Sequence, residues 1–408
     1  MEGLDSRDRA LATRLVLGTI GAAGFLDECV LGHVRHGAKL EPKVLDALRL
    51  AAYEILFLDT PSYVVVNEGV ELVRSARPRA AGMANAVLRR IDQEDLPRRR
   101  AALRKAREER ECSLEELALV SGYPAWLLER MGEARDIALS ATEAAPLYVA
   151  QNAALYDLAQ TKSLLQKAGL APVEQDVPGS YMLKNPGMLS ASGLVESASI
   201  IPADVSAQRV ASHVPLERGA RVLEVGQGRG TKSILLESNA LRSGFKVRIE
   251  GIDSMGFKAR VASNRMQCAG LSDVVTCHEF DGRMLDSPKL PKPLDDLFDV
   301  VFVDAPCSGT GTMRRHPEIP WTIEPQDIDE LKHTQLAILR AAAARVRKGG
   351  FLCYATCSVL REENDDVVRS FLAAKLGSSF AWESEPIRTF PALDGPDGHF
   401  AALLRRIA

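Results

Sequence analysis

The chain has 408 residues, 46% hydrophobic and 26% charged, with a net charge of −3. That length predicts two or three domains with ample core, and the near-neutral balance excludes binding of polyanions by bulk charge alone. No run of eighteen apolar residues occurs, so no membrane-spanning helix is expected. The start, Met1-Glu-Gly-Leu-Asp-Ser-Arg-Asp, lacks the basic and apolar regions of a signal peptide, and the expected location is cytoplasmic.

Residues 1–137 read as an all-helical domain. Arg7 to Ala23 carries Ala10, Leu11, Leu15, Val16 and Leu17 at helical spacing, and Asp27 to His36 repeats the habit. Pro42 suits the first turn of a helix, after which Leu45, Leu48, Ala52, Ile55 and Leu56 follow the i, i+3, i+4 pattern. Further helices are expected from Pro61 to Val73, from Arg79 to Ile91, and from Leu114 to Met131 with a break at Gly122-Tyr123-Pro124. Short helices with short connections make a bundle. His33 and His36 read as surface or core residues rather than ligands. From Arg74 to Arg110 there are twelve Lys or Arg against five Asp or Glu. A charge run is ordinarily a solvated helix face. Arg98-Arg99-Arg100, with Arg89 and Arg90 upstream, is dense enough to make the Arg89 to Arg110 region the candidate contact for nucleic-acid phosphates.

Residues 138–205 read as a connecting subdomain, with a helix over Ala153 to Ala168 and a short strand at Tyr181-Met182-Leu183 inside the turn-rich stretch Pro172 to Pro186. Residues 206–408 alternate strand and helix patterns, which predicts an α/β fold with a doubly wound parallel sheet. Its candidate strands are Arg221–Val225, Val247–Ile252, Val274–Cys277, Val300–Val303, Phe351–Ala355 and the terminal His399–Arg406.

Two of these strands end in thiols. Val300-Val301-Phe302-Val303 runs into Asp304-Ala-Pro-Cys307-Ser-Gly-Thr-Gly311, and Phe351–Ala355 runs into Thr356-Cys357-Ser358. Open α/β sheets place reactive groups in the crevice outside the carboxyl ends of their strands. There are seven cysteines, an odd number in a long chain, so no disulfide framework is expected. No Cys-x-x-Cys pair occurs, and no His or Cys pair completes a zinc site beside Cys353 and Cys357, so no metal is expected. Cys29, Cys112, Cys268, Cys277 and Cys353 read as small buried hydrophobes. Cys307 and Cys357 do not, because both follow strands into small-residue turns.

A nucleotide-type constellation precedes the thiols. Val222-Leu-Glu224-Val-Gly226-Gln-Gly228-Arg-Gly230 closes a strand with glycines at alternate positions, where the backbone can turn tightly and pass close to a ligand. Gly251-Ile-Asp253 puts an acid at the next strand end, placed to accept ribose hydroxyls, and Phe280-Asp281-Gly282 puts another at the next switch, placed to accept an adenine amine. Any one of these acids alone reads as a helix cap or turn residue. Three strand ends in order, Glu224, Asp253 and Asp281, favour a nucleotide cofactor. NAD is disfavoured, because two thiols and no hydride-transfer site lie downstream.

With these motifs in view the chain resembles the RsmB/Nop2/Sun RNA 5-methylcytosine methyltransferases. The likeness rests on Asp304-Ala-Pro-Cys307-Ser-Gly-Thr-Gly, Arg314-Arg-His316-Pro-Glu-Ile-Pro-Trp321 and Tyr354-Ala-Thr-Cys357-Ser-Val-Leu-Arg-Glu-Glu-Asn364. Leu48-Arg-Leu-Ala-Ala-Tyr-Glu-Ile-Leu and Ala84-Asn85-Ala-Val-Leu-Arg-Arg-Ile resemble the NusB-like RNA-binding domain of the bacterial ribosomal RNA branch, and Asp204-Val-Ser-Ala-Gln208 resembles the segment before the cofactor strand. The resemblance implies a Rossmann-like methyltransferase domain at 206–408 and a NusB-like domain at 1–137. It implies S-adenosyl-L-methionine as cofactor, held by Glu224, Gly226, Gly228, Gly230, Asp253, Asp281 and Asp304. It implies an RNA partner, most naturally small-subunit (16S) ribosomal RNA, acted on by a monomer.

The resemblance also implies roles at the site: Cys357 as nucleophile at cytosine C6, Cys307 in its expulsion, Asp304 on the base, and Lys232 ordering the site. A rival assignment comes from DNA cytosine methyltransferases, whose nucleophile is the cysteine of a Pro-Cys turn, but those enzymes have no use for Thr356-Cys357-Ser358. His316 and Trp321 are candidate substrate contacts, Trp321 equally a packing residue. Two departures stand out. The family's Ala-Pro-Gly-Gly-Lys-Thr turn reads Gly228-Arg-Gly-Thr-Lys232-Ser233 here, and its Arg-x-Asn reads Ala150-Gln151-Asn152. The same chemistry on transfer RNA is one alternative. A non-catalytic RNA-binding or assembly protein on this scaffold is another, and the altered turn is what favours it.

Overall fold

The structure, a computed structural model, describes residues 5–35, 39–108 and 111–408; the Met1 to Leu4 start, His36 and Arg110 lie outside the described residues. The chain forms two compact units, one from Met1–Ala145, Thr312–Glu324 and Pro391–Gly395, the other from Pro146–Gly311, Pro325–Phe390 and Pro396–Ala408. The 146–205 stretch, read above as part of a connecting subdomain, therefore joins the α/β part. Two pieces of the 206–408 region, Thr312–Glu324 and Pro391–Gly395, join the helical part.

The first unit contains helices α1 (Ser6–Gly21), α2 (Ala23–Gly32), α3 (Pro42–Phe57), α4 (Ser62–Ala76), α5 (Ala81–Arg90), α6 (Leu96–Glu108), α7 (Leu114–Ser121), α8 (Ala125–Glu129) and α9 (Ala134–Ser140). The break between α1 and α2 falls at Ala22, several residues before the expected second helix. Pro42 occupies the first turn of α3, whose Leu48, Ala52, Ile55 and Leu56 are buried as their spacing requires. Helix α7 ends at Gly122, whose left-handed φ of 76° suits glycine. Pro124 then precedes α8. Between α5 and α6 the backbone stays helical through a π-type turn over Ile91–Asp95, so the expected stop at Ile91 is not a chain break.

The inserted Thr312–Glu324 segment packs within this unit. The Trp321 indole N–H donates to the Gly21 carbonyl at 2.8 Å, and a Cβ on Gly24 would lie 2.0 Å from the ring. Trp321 is thus a packing residue. His316 is exposed beside Glu318.

The second unit opens with a four-stranded antiparallel sheet in the order β2-β3-β1-β4, from β1 (Tyr148–Gln151), β2 (Pro172–Glu174), β3 (Ser180–Leu183) and β4 (Ile200–Pro202). The helix expected from Ala153 starts later, as α10 (Leu158–Lys167), because Asp157 and Gln160 form a capping box that fixes its first turn. Asn152 donates to the Ala198 and Ala269 carbonyls, and Gln151 donates to Tyr156 O and accepts from Arg242. The residues at the family's altered Arg-x-Asn position are thus consumed by backbone and packing contacts.

The large sheet has the order β10-β12-β9-β8-β5-β6-β7 with β11 added beside β12. Its strands are β5 (Arg221–Val225), β6 (Arg248–Asp253), β7 (Val275–Glu279), β8 (Phe298–Asp304), β9 (Val346–Thr356), β10 (Phe380–Trp382), β11 (Ile387–Thr389) and β12 (His399–Arg406). Strands β5 to β9 pair in parallel, and β12 closes on β9 antiparallel. Helices α11 (Val205–Ser212), α12 (Thr231–Arg242), α13 (Gly256–Cys268), α15 (Pro325–Ala343) and α16 (Asp365–Leu372) accompany it, while α14 (Ile319–Thr322) belongs to the first unit.

Alternate residues feed two cores: Val222, Val300, Phe302 and Cys353 one, Leu223, Val225, Val301, Val303 and Tyr354 the other. A sheet covered on both faces needs unbroken apolar strands, which is why these runs were readable. Strand β5 lies between β8 and β6, so the direction of winding reverses there and a crevice opens at the strand ends.

Candidate active site

A cavity of about 400 Å³ lies at that reversal, lined by Gly226, Gly228, Lys232, Asp253, Asp281, Asp304, Cys307 and Cys357, with Met255, Lys258, Phe280 and Ile338 among the others. Eight of the ten sequence-selected positions, the two thiols among them, are therefore in one place. Gly226 has φ 82°, and a Cβ there would sit 2.2 Å from the Asp304 carbonyl oxygen, so only glycine lets the cofactor turn lie against the Asp304 turn. Asp253, at the end of β6, accepts from the Gly228 amide at 3.0 Å and the Met255 amide at 2.9 Å. A carboxylate has about four acceptor sites, so this one holds the turn and keeps capacity for a ligand hydroxyl.

Two expectations need correction. Glu224 does not line the cavity; it is fully buried behind the turn, hydrogen-bonded to Ser233, and burial pushes its pKa up to about 8. Gly230 does not line it either. It starts α12 in the left-handed region and lies where a Cβ would meet Met266 at 2.5 Å. Asp281 does line the cavity, but its carboxylate takes the backbone amide and the guanidinium of Arg283, whose hydrogen bonds hold its pKa down.

The reactive groups are tightly grouped. Lys232, from the first turn of α12, donates to Asp304 Oδ2 at 2.5 Å. Burial pulls the Lys232 pKa down, but the charges of Asp304, Cys357 and Glu224 outweigh it and the ammonium is held. Cys307 Sγ and Cys357 Sγ are 3.4 Å apart. Their backbones are tied as well, by Ala305 N to Ala355 O and Gly311 N to Cys357 O, each 2.9 Å.

Proton affinity is divided unequally between the thiols. The hydrogen bond from Cys307, aided by Lys232, holds the Cys357 pKa below that of an ordinary thiol, against burial and the charges of Asp304 and Glu363. That same hydrogen bond, then burial, pushes Cys307 up. The sequence left open what activates Cys357; its neighbours here are a thiol donor and an ammonium.

None of the seven cysteines is in a disulfide. Burial pushes Cys29 and Cys353 up to about 12 and Cys277 to about 11, as inert thiols should be. Cys268 departs from its expected burial and is exposed at the end of α13. Among the described residues no group of three metal-ligating side chains forms, and no single helix is long and apolar enough to cross a membrane.

Two residues that matter were quoted in the motif without a role. Glu363 and Asn364 are buried beneath the thiol turns, and Gln335 reaches them from α15. Neither they nor Gln335 carried a signal in the sequence, because only the fold buries Glu363 against the Cys307 turn and brings α15 there.

A Rossmann-like sheet with a glycine turn, a strand-end acid and a thiol pair at its switch point defines a methyltransferase-type catalytic unit, here joined in one chain to a helical unit. The model of the 16S rRNA methyltransferase RsmB/F family matches residues 221–405, and that of the NusB family matches residues 1–93. Ribosomal RNA small subunit methyltransferase B of Thermus thermophilus is 30% identical, over 98% of this chain and 89% of that protein. Its counterpart in Klebsiella pneumoniae is 28% identical, over 98% and 91%. The chain belongs to the RsmB/F family of ribosomal RNA small subunit methyltransferases and carries its methyltransferase domain together with a NusB domain. Among solved structures, PH0851 covers 99% of this chain and 92% of its own with TM-score 0.77 at 21% identity. NSun6 from Pyrococcus horikoshii with SFG covers 72% and 98% with TM-score 0.58 at 16% identity. At such identities these two speak for the fold.

Proposed function

We propose that this RNA methyltransferase transfers a methyl group to C5 of a cytosine in small-subunit ribosomal RNA, through a transient bond between Cys357 and cytosine C6. The observation that carries the reading is the pair of thiols 3.4 Å apart, following two adjacent parallel strands into one cavity with Lys232 and Asp304. S-adenosyl-L-methionine fits the cavity by its size, by the glycine cradle at Gly226 and Gly228, and by the spare acceptor capacity of Asp253; when bound it supplies an electrophilic methyl group.

The chain's own residues account for the rest. The Cys357 thiolate adds to C6, and the ring electrons it displaces make C5 nucleophilic. Asp304, steadied by Lys232, hydrogen-bonds the N3–N4 edge and favours a proton on N3 during addition. Once C5 carries its methyl, the C5 proton leaves, the C6–S bond breaks, and Cys357 departs as thiolate. Cys307 serves that expulsion as base or assisting group. Its pKa is raised chiefly by its bond to Cys357. That influence disappears once Cys357 is a thioether, and Cys307 becomes easier to ionise when a base is needed.

The target base must leave its stack to reach such a crevice. The NusB domain supplies RNA contacts through the exposed arginines Arg89, Arg90, Arg98, Arg100, Arg104 and Arg107. Arg99 is withdrawn from that set: it is buried, donates to the Leu56 and Val120 carbonyls at 2.9 Å each, and stacks 3.8 Å over Phe57.

A paired substitution tests the reading. Cys357→Ala abolishes methylation and forms no covalent complex, whereas Cys307→Ala accumulates a protein–RNA complex on a denaturing gel. A complex with Cys357→Ala and none with Cys307→Ala reverses the roles. Calorimetry with S-adenosyl-L-methionine adds a separate check, and no heat at millimolar cofactor removes catalysis altogether.

A further inference from the structure

The two thiols sit on separate turns, fifty residues apart in sequence, and a 3.4 Å spacing between them has to be imposed by something. Two consecutive side chains reach both turns. Asn364 Oδ1 accepts from the Thr356 hydroxyl at 2.6 Å, and Asn364 Nδ2 donates to the Ser358 carbonyl at 2.9 Å. Those are the residues on either side of Cys357. Glu363 Oε1 accepts from the Ser308 amide at 2.8 Å, and Oε2 accepts from the Ser308 hydroxyl at 2.5 Å. Gln335 Nε2 donates both to Glu363 Oε1 and to the Pro306 carbonyl, each at 2.9 Å. Pro306 and Ser308 are the residues on either side of Cys307.

Glu363 has no exposure to solvent, and its three partners are neutral donors. Burying a carboxylate is expensive unless its oxygens are well bonded. A neutral amide could not accept from the Ser308 amide, the Ser308 hydroxyl and Gln335 together, because one of its two arms would be a donor. An amide in this place would have to donate to the Ser308 hydroxyl and turn that hydroxyl's own proton toward Thr310 or Ser358, whereas the carboxylate accepts from all three donors at once. Its own backbone is pinned too, by the Tyr354 hydroxyl donating to its carbonyl at 2.6 Å from within β9.

We propose that Glu363 is a positioning residue for Cys307, and that Glu363 and Asn364 form a two-armed bracket that sets the distance between the expelling thiol and the nucleophile. The Asn364 arm fixes the turn that makes the bond to C6. The Glu363 arm fixes the turn that helps break it. This rests on the reading of Cys357 as nucleophile and Cys307 as the group of expulsion. The two arms should then fail at different steps, which a general loss of rigidity would not produce.

The test uses the full chain with S-adenosyl-L-methionine and an unmodified 16S ribosomal RNA transcript. Glu363→Gln is expected to slow turnover at saturating RNA by roughly 100-fold, the order of loss for an ångström-scale misplacement, with little change in KM. It is also expected to accumulate the covalent complex as Cys307→Ala does. Asn364→Ala is expected to lose turnover without accumulating the complex. Should Glu363→Gln not fold, Gln335→Leu removes only the strut between Pro306 and Glu363 and is expected to show the same accumulation at a smaller loss. The bracket is overturned if Glu363→Gln, or Gln335→Leu in its place, turns over normally or loses turnover with no complex while Cys307→Ala accumulates one. If Cys307→Ala itself gives none, the assignment of the thiols fails and the bracket with it.

Discussion

Cys307 and Cys357 sit in turns built alike, each at the end of an apolar strand of one parallel sheet, and Arg99 and Arg100 are neighbours on one helix. Both pairs are nonetheless split into unlike jobs. The thiols differ because the bond between them lowers the proton affinity of Cys357 and raises that of Cys307, and the Lys232 ammonium further favours a thiolate at Cys357. The arginines differ because a helix turns 100° between them, which sends Arg99 under Phe57 and leaves Arg100 in solvent. In both regions residue type proposes a chemistry, and position within the element decides who performs it. The α/β site makes that decision with charge, the helical unit with phase.

Removing the charge should break the α/β side of the comparison most severely. Lys232→Met leaves Asp304 without its cation and Cys357 without a neighbour that favours the thiolate. Loss of a preorganised electrostatic partner in a dry site costs on the order of 100-fold or more in kcat/KM, and that loss is expected in a methyl-transfer assay with the fold intact by circular dichroism. A variant within a few-fold of the parent would mean that the thiol pair alone sets the asymmetry.

The phase argument makes a claim about stability. Arg99→Met strands the Leu56 and Val120 carbonyls and removes the cation from the face of Phe57. Two buried acceptors without partners cost roughly 3 kcal/mol. Arg100→Met touches none of this and should stay within about 0.5 kcal/mol. Chemical denaturation of the two variants, followed by helical circular dichroism, checks the pair. Equal effects would place both arginines on the same side of the helix, against the geometry.

How much of this was legible follows from the same physics. The inner strands of the large sheet are buried on both faces, so β5, β8, β9 and β12 announced themselves as apolar runs; β12 was bounded to the residue. The short strands β1, β2, β4, β10 and β11, three or four residues each, hold their shape through pairing and are too short to leave a periodic signal. At the site, Asp253, Asp304, Cys307 and Cys357 were legible because each closes a strand.

Glu224 closed a strand as well and was misread, since the strand's alternation turns its side chain under the turn and onto Ser233. Asp281 reaches the cavity as its strand end suggested, with Arg283 two residues away on its carboxylate. The bracket of Glu363 and Asn364 was invisible because its meaning depends on Ser308 and Gln335, which only the fold delivers. The insertion of Thr312–Glu324 into the helical unit has the same character: Trp321 finds Gly21, three hundred residues away, through packing alone.

The division between the thiols can be read without RNA. Cys357 is held below an ordinary thiol, first by the Cys307 hydrogen bond, so at a given pH it carries more thiolate than a free cysteine. Alkylation by iodoacetamide, mapped by mass spectrometry, should therefore label Cys357 at lower pH than Cys307. In Cys307→Ala the donor is gone, and the pH midpoint for labelling Cys357 should move upward. A midpoint that stays put or falls would show that Lys232, not the partner thiol, sets the proton affinity.

The smallest expected effect is the most selective test of the helical unit. Arg100, Arg104 and Arg107 are exposed at i, i+4 and i+7, so they form one stripe along α6, from which Arg99 is turned away. Each arginine on a phosphate releases counterion, with a slope of about −0.7 in log K against log salt per contact for single strands. Replacing all three with Gln should flatten the salt dependence of RNA binding by about 2 in slope while leaving turnover at saturating RNA unchanged. The slope matters more than the affinity, since an arginine that merely supports the fold would weaken binding at every salt concentration alike. An unchanged slope would move the RNA track off α6 and leave the stripe as a solvated face, in which case phase would have sorted the arginines between core and water but not between core and substrate.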